Sequence, residues 1–380
     1  MRTKRIYLDN AATSWPKPES VYAAVDKYQR EIGAAAGRGT YAAANEASQI
    51  VAQTRAAMAS LLNAPTDSEL AFTFSGTDSL NLCILGTLKE GDKVVVTAAE
   101  HNSVLRPLSH LRQTRGVAVE YVSCDEHGFA NVDSARELIT PGTALVVASH
   151  ASNVTGAIQP IIELGEIADA VGAKFLVDAA QTTGHLNIDL ANLPVDMLAS
   201  SGHKGLMGPL GTGFAWFAPG IAEQTAPLRF GGTGTSSESD EQPASGPERF
   251  ESGNQNVAAL AGLHAGVNYV RDQLKDTAVP AIQAADILHR LRKMDHITTY
   301  GPVNPDERVS LISFNVAGYD CHDVAALLDS TFAIQVRAGQ HCAPRMHQQL
   351  NVAGTVRASW GPLSTRKEID VFCDALQQLG

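Results

Sequence analysis

Seven short apolar runs, at residues 70–74, 93–98, 117–122, 144–150, 174–180, 197–203 and 213–218, punctuate the first two thirds of the chain. Each has the length of a strand, and helical stretches separate most of them. The runs are continuous rather than alternating, which predicts strands buried on both faces, as in a sheet sandwiched by helices. Ahead of them Val51, Met58 and Leu62 fall at helical spacing and Asn63-Ala-Pro65 stops the run, so a long packed helix is expected there. Past residue 255 the pattern changes to a helical stretch over 257–274, followed by strand-like runs at 309–316, 334–336 and 355–359. This reads as an α/β large domain over 15–255 and a smaller α+β domain made of 1–14 and 256–380. Between the two, residues 231–248 are rich in Gly, Ser, Glu and Pro. A loop of that length inside a compact enzyme is functional or mobile, or else a solvated excursion.

A chain of 380 residues can bury a large core. A formal net charge of −11 and a pI near 5.5 leave no concentrated basic face for a nucleic acid. The N-terminus is basic but lacks the apolar stretch of a secretory signal, and no apolar run approaches the ~20 residues that span a bilayer. A cytoplasmic protein without membrane or nucleic-acid partners is expected. Five cysteines, at 83, 124, 321, 342 and 373, form no Cys-x-x-Cys pair, which suits free thiols in a reducing compartment.

The candidate chemistry starts at Ser201-Gly-His-Lys204-Gly205, 26 residues after Asp178, which closes an apolar run. A lysine forms a Schiff base with an aldehyde only when part of it is unprotonated, so it needs a setting that lowers its pKa. A pyridine ring works as an electron sink only while its nitrogen stays protonated, which calls for a buried carboxylate aimed at it. Lys204 and Asp178 read as that pair, with pyridoxal 5'-phosphate as the cofactor. Each alone admits a plainer reading, a solvated loop lysine and a helix-capping aspartate.

Ser75-Gly76-Thr77 follows one apolar run and opens a helical stretch, where backbone amides attract a dianion and glycine lets a phosphate approach. His101 follows another run, where an imidazole could lie on a pyridine ring and exchange protons. Asn153 and Gln181 follow strand ends, and their amides suit the cofactor's phenolic oxygen or a substrate carboxylate. A purely structural histidine is the plainer reading of His101, and capping and turn formation compete as explanations for Asn153 and Gln181. Arg357, on a strand of the small domain, reads either as a bidentate clamp on an amino-acid carboxylate or as half of a structural ion pair. Cys342 lies in a polar loop beside His341 and near Arg337 and Arg345, surroundings that stabilise a thiolate, while Arg337 is placed to hold the thiolate or the substrate. A zinc site from His341, Cys342 and His347 is an alternative without the paired spacing of known zinc modules.

The chain resembles the class V aminotransferases, and within them the NifS-like cysteine desulfurases. The resemblance runs through Tyr7-Leu-Asp-Asn-Ala-Ala-Thr13, Gly76-Thr77, Glu100-His101, Ser152-Asn153, Val177-Asp-Ala-Ala-Gln181, Ser201-Gly-His-Lys204, Arg249-Phe-Glu-Ser-Gly253, Arg337-Ala-Gly-Gln-His-Cys-Ala343 and Thr355-Val-Arg357. The Cys342 block is similar to that of type II desulfurases, with Gln340 replacing a histidine. The resemblance implies the fold of type I PLP-dependent transferases, with a seven-stranded mostly parallel sheet. It implies phosphate contacts at Gly76, Thr77, Ser201 and His203, and a homodimer in which the 231–248 region reaches the neighbouring active site. A further phosphate contact comes from the partner chain at a position where the family usually has threonine and this chain has Asn254. The implied reaction converts L-cysteine to L-alanine, with Lys204 as base, His101 in proton delivery and Cys342 taking the sulfur as a persulfide, for later collection by an acceptor protein. Selenocysteine lyase, cysteine sulfinate desulfinase and aminotransferase or epimerase activities are neighbouring readings. A dinucleotide-binding oxidoreductase, for which no Gly-x-Gly-x-x-Gly opens a first βαβ unit, and a silent sulfur-carrier scaffold are more distant ones.

Overall fold

A computed structural model describes residues 5–37, 39–67, 69–234, 238–274 and 278–380. Its strands are β1 (Ile6–Tyr7), β2 (Leu70–Thr73), β3 (Lys93–Thr97), β4 (Ala118–Val122), β5 (Thr143–Ser149), β6 (Lys174–Asp178), β7 (Met197–Ser201), β8 (Gly213–Phe217), β9 (Ile297–Tyr300), β10 (Leu311–Val316), β11 (Ile334–Gln335), β12 (Arg337–Gly339) and β13 (Thr355–Ser359). All seven apolar runs of the large domain are strands of one sheet, in the order β2-β8-β7-β6-β5-β3-β4. Neighbours are parallel except at β8, which runs antiparallel to both β2 and β7.

Successive side chains of a strand point to opposite faces, so a continuous apolar run feeds two cores at once. Val146, Phe175, Val177, Leu198 and Trp216 pack on one face with Val51 and Met58 of the helix Ala42–Leu61. Val147, Leu176, Met197 and Phe217 pack on the other with Leu80 and Ile84 of Gly76–Thr87 and Leu108 and Leu111 of Asn102–Arg115. Each fully buried aliphatic or aromatic side chain contributes about 1.5–3 kcal/mol. β4 departs from the expectation of two buried faces. It is an edge strand with Ala118 exposed and Glu120 paired with Lys93 at 2.9 Å, a charge that discourages further strand pairing.

The second body holds an antiparallel sheet, β12-β13-β10-β9, and the parallel pair β1-β11. Leu8 joins Ile312, Phe314, Val356 and Phe372 in its core, so the N-terminal strand packs with residues more than 300 positions away. The helix Val257–Gln273, assigned from the sequence to the small domain, instead buries Val257, Leu260, Leu263 and Val267 in the core under the large sheet. A boundary at 255 would separate that helix from the surface it covers. Asp178, Ser149 and Ser201 close β6, β5 and β7, and strand pairing sets Ser149 opposite Asp178. The carboxyl ends of the parallel strands thus gather on one rim, where α/β sheets place their ligands.

Candidate active site

That rim encloses a cavity of about 210 Å³ lined by Gly76, Thr77, His101, Asp178, Lys204 and Arg357, and also by Asn153, Gln181, Ser201, His203 and Arg337. Lys204 follows β7 in a tight turn closed by Met207 N–H on the Lys204 carbonyl at 2.9 Å. Gly205 is required there because a Cβ would collide with the Thr183 carbonyl oxygen. The N-terminal segment grips the turn from outside: the Ser14 hydroxyl donates to the Lys204 carbonyl at 2.9 Å, and Lys17 Nζ donates to the His203 carbonyl at 2.8 Å. Burial pushes the Lys204 amine down to about 8, against the pull of Asp178 and with help from Arg357 and Arg337. A usable fraction of free amine therefore exists near neutral pH.

Asp178 is buried, which raises its pKa, while the Ala180 N–H at 2.9 Å and the charge on Lys204 draw it back. His101 caps the helix Asn102–Arg115, and its Nδ1 accepts the Ser103 N–H at 3.0 Å. Burial and the cations Lys204, Arg337, Arg357 and Arg106 push the imidazole down to about 4. The ring is neutral, and because Nδ1 is an acceptor its proton sits on Nε2.

The Ser201 hydroxyl and His203 Nδ1 are buried and carry no protein partner among the described residues. They stand with the first amides of the helix Gly76–Thr87, whose Ser75 cap takes the Asp78 N–H at 3.1 Å. A Cβ on Gly76 would sit 3.4 Å from the Ser201 Cβ and amide nitrogen, filling the gap between the two segments. Orphaned donors, a helix N-terminus, a lowered lysine and a buried carboxylate fit pyridoxal phosphate as a set.

Arg357 on β13 reaches into this cavity from the small domain. Its Nη2 donates to Asp9 at 2.9 Å and its Nη1 to the Asn153 carbonyl at 3.0 Å, while its Nε has no partner. The ion pair considered for this arginine is therefore present, with a partner 348 residues away, and one donor remains free. Asn153 spends its amide on the His341 carbonyl at 2.7 Å, and Gln181 spends its own on the Ala11 carbonyl at 3.1 Å. Both line the cavity, yet both also hold chain segments together. Asn254 does not line it: it borders a separate hollow with Phe72, Phe74 and Arg229.

Cys342 faces a larger cavity of about 700 Å³, and Arg337 lines both cavities. Arg337 Nη2 donates to Cys342 Sγ at 3.3 Å. His341 and Cys342 both adopt left-handed backbone, with φ of 49° and 59°, a conformation that costs a side-chain-bearing residue about 1 kcal/mol or more. The Ala343 N–H closes the turn on the Gln340 carbonyl at 2.9 Å, and two bonds tether it from outside: Asn102 N–H on the Cys342 carbonyl at 2.7 Å, and Asn153 on the His341 carbonyl. The expected surroundings of the thiol need correction. His341 points inward, its Nε2 at 3.0 Å from the Thr355 hydroxyl, and burial pushes it down to about 2, so it carries no charge for a thiolate. His347 Nε2 meets the same hydroxyl at 3.3 Å. Arg345 stacks over the Tyr121 ring at 3.3 Å. Among the described residues Arg337 is the cation that touches the sulfur, and Arg357 is near enough for the two charges to interact.

Sequence reasoning passed over Asp9, the partner of Arg357, and Glu100, although both lie inside quoted motifs. It also passed over His185, held near 4 by burial and by Lys204. No local pattern distinguishes that histidine.

The model of the aminotransferase class-V family matches residues 6–372. The probable cysteine desulfurase of Pyrococcus abyssi (strain GE5 / Orsay) is 37% identical over 98% of this chain and 94% of that protein. An apo structure of cysteine desulfurase from Thermococcus onnurineus NA1 superposes with a TM-score of 0.93 at 35% identity, covering 99% of this chain and 94% of the other. The cysteine desulfurase CsdA (S-sulfonic acid) from Escherichia coli follows with 0.88 at 30%, over 99% and 94%. This chain belongs to the class-V aminotransferase family.

Proposed function

We propose that the protein is a pyridoxal phosphate-dependent cysteine desulfurase that converts L-cysteine to L-alanine and carries the released sulfur on Cys342. The observation that bears most weight is the contact between Arg337 and Cys342 Sγ, because Arg337 lines the Lys204 cavity as well and so joins a nucleophilic sulfur to the amine site. The naming of the relatives supports the same reading.

The bound cofactor supplies an aldehyde for the substrate amine and an electron-poor ring that stabilises negative charge at the α-carbon. Lys204 anchors it, and its lowered pKa suits the free amine to take up and return the α-proton. Asp178 would hold a proton on the ring nitrogen, and the Gly76 and Thr77 amides, Ser201 and His203 would hold the phosphate. Neutral His101 lines the same cavity, where its Nε2 would hold a proton for a substrate thiolate. Arg357 and Asn153 orient the substrate carboxylate. Arg337 donates to Cys342 Sγ, and attack of that sulfur on the substrate sulfur forms the S–S bond as the C–S bond breaks, its electron pair passing to the carbon that is protonated to the methyl group of alanine. The balance is cysteine plus enzyme thiol giving alanine plus enzyme persulfide, with no external oxidant.

The Cys342→Ala variant should retain the cofactor and lose alanine formation from cysteine. Native rates in that variant would remove the persulfide step from the scheme. The exposed Phe74, Leu210 and Phe230 together with the hollow at Asn254 suit a homodimer in which that residue serves the neighbouring site. Light scattering should report twice the chain mass. Among the described residues no helix is long and apolar enough to cross a membrane, and we propose a cytoplasmic enzyme that passes its sulfur to an acceptor protein.

A further inference from the structure

Glu100 precedes His101 and is fully buried, yet the chemistry above gives it no task. Its Oε1 accepts the Ser149 N–H at 2.7 Å and the Thr97 hydroxyl at 2.6 Å, and its Oε2 contacts the Ser149 hydroxyl at 2.9 Å. One side chain thus ties the end of β3 to the end of β5 immediately before the turn that presents His101. Ser149 is the strand partner of Asp178, so Glu100 also sits behind the carboxylate assigned to the ring nitrogen.

No lysine or arginine pairs with Glu100 among the described residues, whereas Asp178 has the charge of Lys204 nearby. Two neighbouring buried carboxylates, of which Asp178 has the charge of Lys204 beside it, do not both ionise readily. We infer that Glu100 is a positioning residue that works as a neutral carboxylic acid, fixing the His101 turn to β5 without placing a second negative charge behind Asp178. Burial and Asp178 push Glu100 up to about 8 against the bonds from Thr97 and Ser149. The neighbouring Cys124 thiol, pushed up to about 12 chiefly by burial, supplies no charge that would compensate an ionised Glu100. With the carboxyl protonated on Oε2, the Ser149 contact reverses and the acid donates to the hydroxyl oxygen, so every bond of the clamp is kept.

The positioning half of this inference rests on the proposed desulfurase reading, and the protonation half does not. The test therefore compares Glu100→Gln with the native enzyme in two ways. The amide keeps both bonding roles but cannot ionise, and the native acid holds its proton when folded but loses it when unfolded between the ordinary glutamate range and about 8. The native protein should thus lose thermal stability relative to Glu100→Gln as pH rises through that window. A midpoint difference that stays flat, or in which the native protein gains on Glu100→Gln, from pH 5 to 8 would show an ionised Glu100 and overturn the inference. In turnover, Glu100→Gln should stay near native at pH 7, while Glu100→Leu should lose kcat on the order of 10- to 100-fold with KM little changed. A Glu100→Leu variant that folds and keeps native kcat would remove the positioning role. Loss of cysteine turnover in the native enzyme would instead count against the desulfurase reading and leave the stability comparison intact.

Discussion

The Lys204 pocket and the Cys342 loop meet at Arg337 but are built in opposite ways. The pocket hangs on strand ends, where hydrogen-bond ladders and two packed faces fix Asp178, Ser149 and Ser201 within one rim. The loop has two left-handed residues, two tethering hydrogen bonds and one cation on its sulfur. The proposed cofactor side is preorganised by the fold. The Cys342 side is held at a few points and opens onto the larger cavity, which suits the sulfur-carrying role proposed for it.

The sharpest way to break this division is Lys204→Ala, which should abolish turnover and leave no borohydride-stable cofactor on the peptide containing residue 204. Asp178→Asn should still bind cofactor but lose about 100-fold or more in kcat, because the amide cannot hold the ring proton in the same way. Retention of native kcat would mean the ring nitrogen is served elsewhere.

Capture of the aldehyde by cofactor-free protein should rise roughly tenfold between pH 7 and 9 and then level, since an amine near 8 loses its proton over that range. An ordinary lysine would keep gaining up to its usual pKa near 10.5. Lys17 is also held near 8, so Lys204→Ala serves as the control. On the sulfur side, Arg337→Ala should slow alkylation of Cys342 severalfold, a larger effect than the small loss of aldehyde capture that follows from removing a minor contributor to the lowered Lys204 amine. Equal damage to both properties would mean that the two regions are not separable.

The same division marks what could be read before the structure. The seven strands were legible because a strand buried on both faces is written as a continuous apolar run, and the lysine, aspartate and phosphate turn follow directly from those strands. β9, with Thr298 and Thr299 in its middle, and the three-residue β12 carry no such signal. The helix after 255 was misassigned because its apolar stripe shows that it packs without showing on what. Around Cys342, adjacency in the sequence suggested that His341 and Arg345 serve the thiol. The left-handed turn sends His341 toward Thr355 instead, and Arg345 finds Tyr121. The bond from Arg357 to Asp9 joins the two ends of the chain, and no local pattern can announce such a pair. Glu100 was visible as a letter in a motif, but its burial and its bonds to β5 are tertiary facts.

The central claim is that sulfur leaves cysteine and stops on position 342. The most direct measurement is a single-turnover incubation of holoenzyme with L-cysteine without reductant, followed by quantification of alanine and mass mapping of the cysteine-containing peptides. The expected result is one alanine per active site, with one added sulfur on the peptide carrying Cys342. Alanine formed in that amount with no sulfur on that peptide would contradict it.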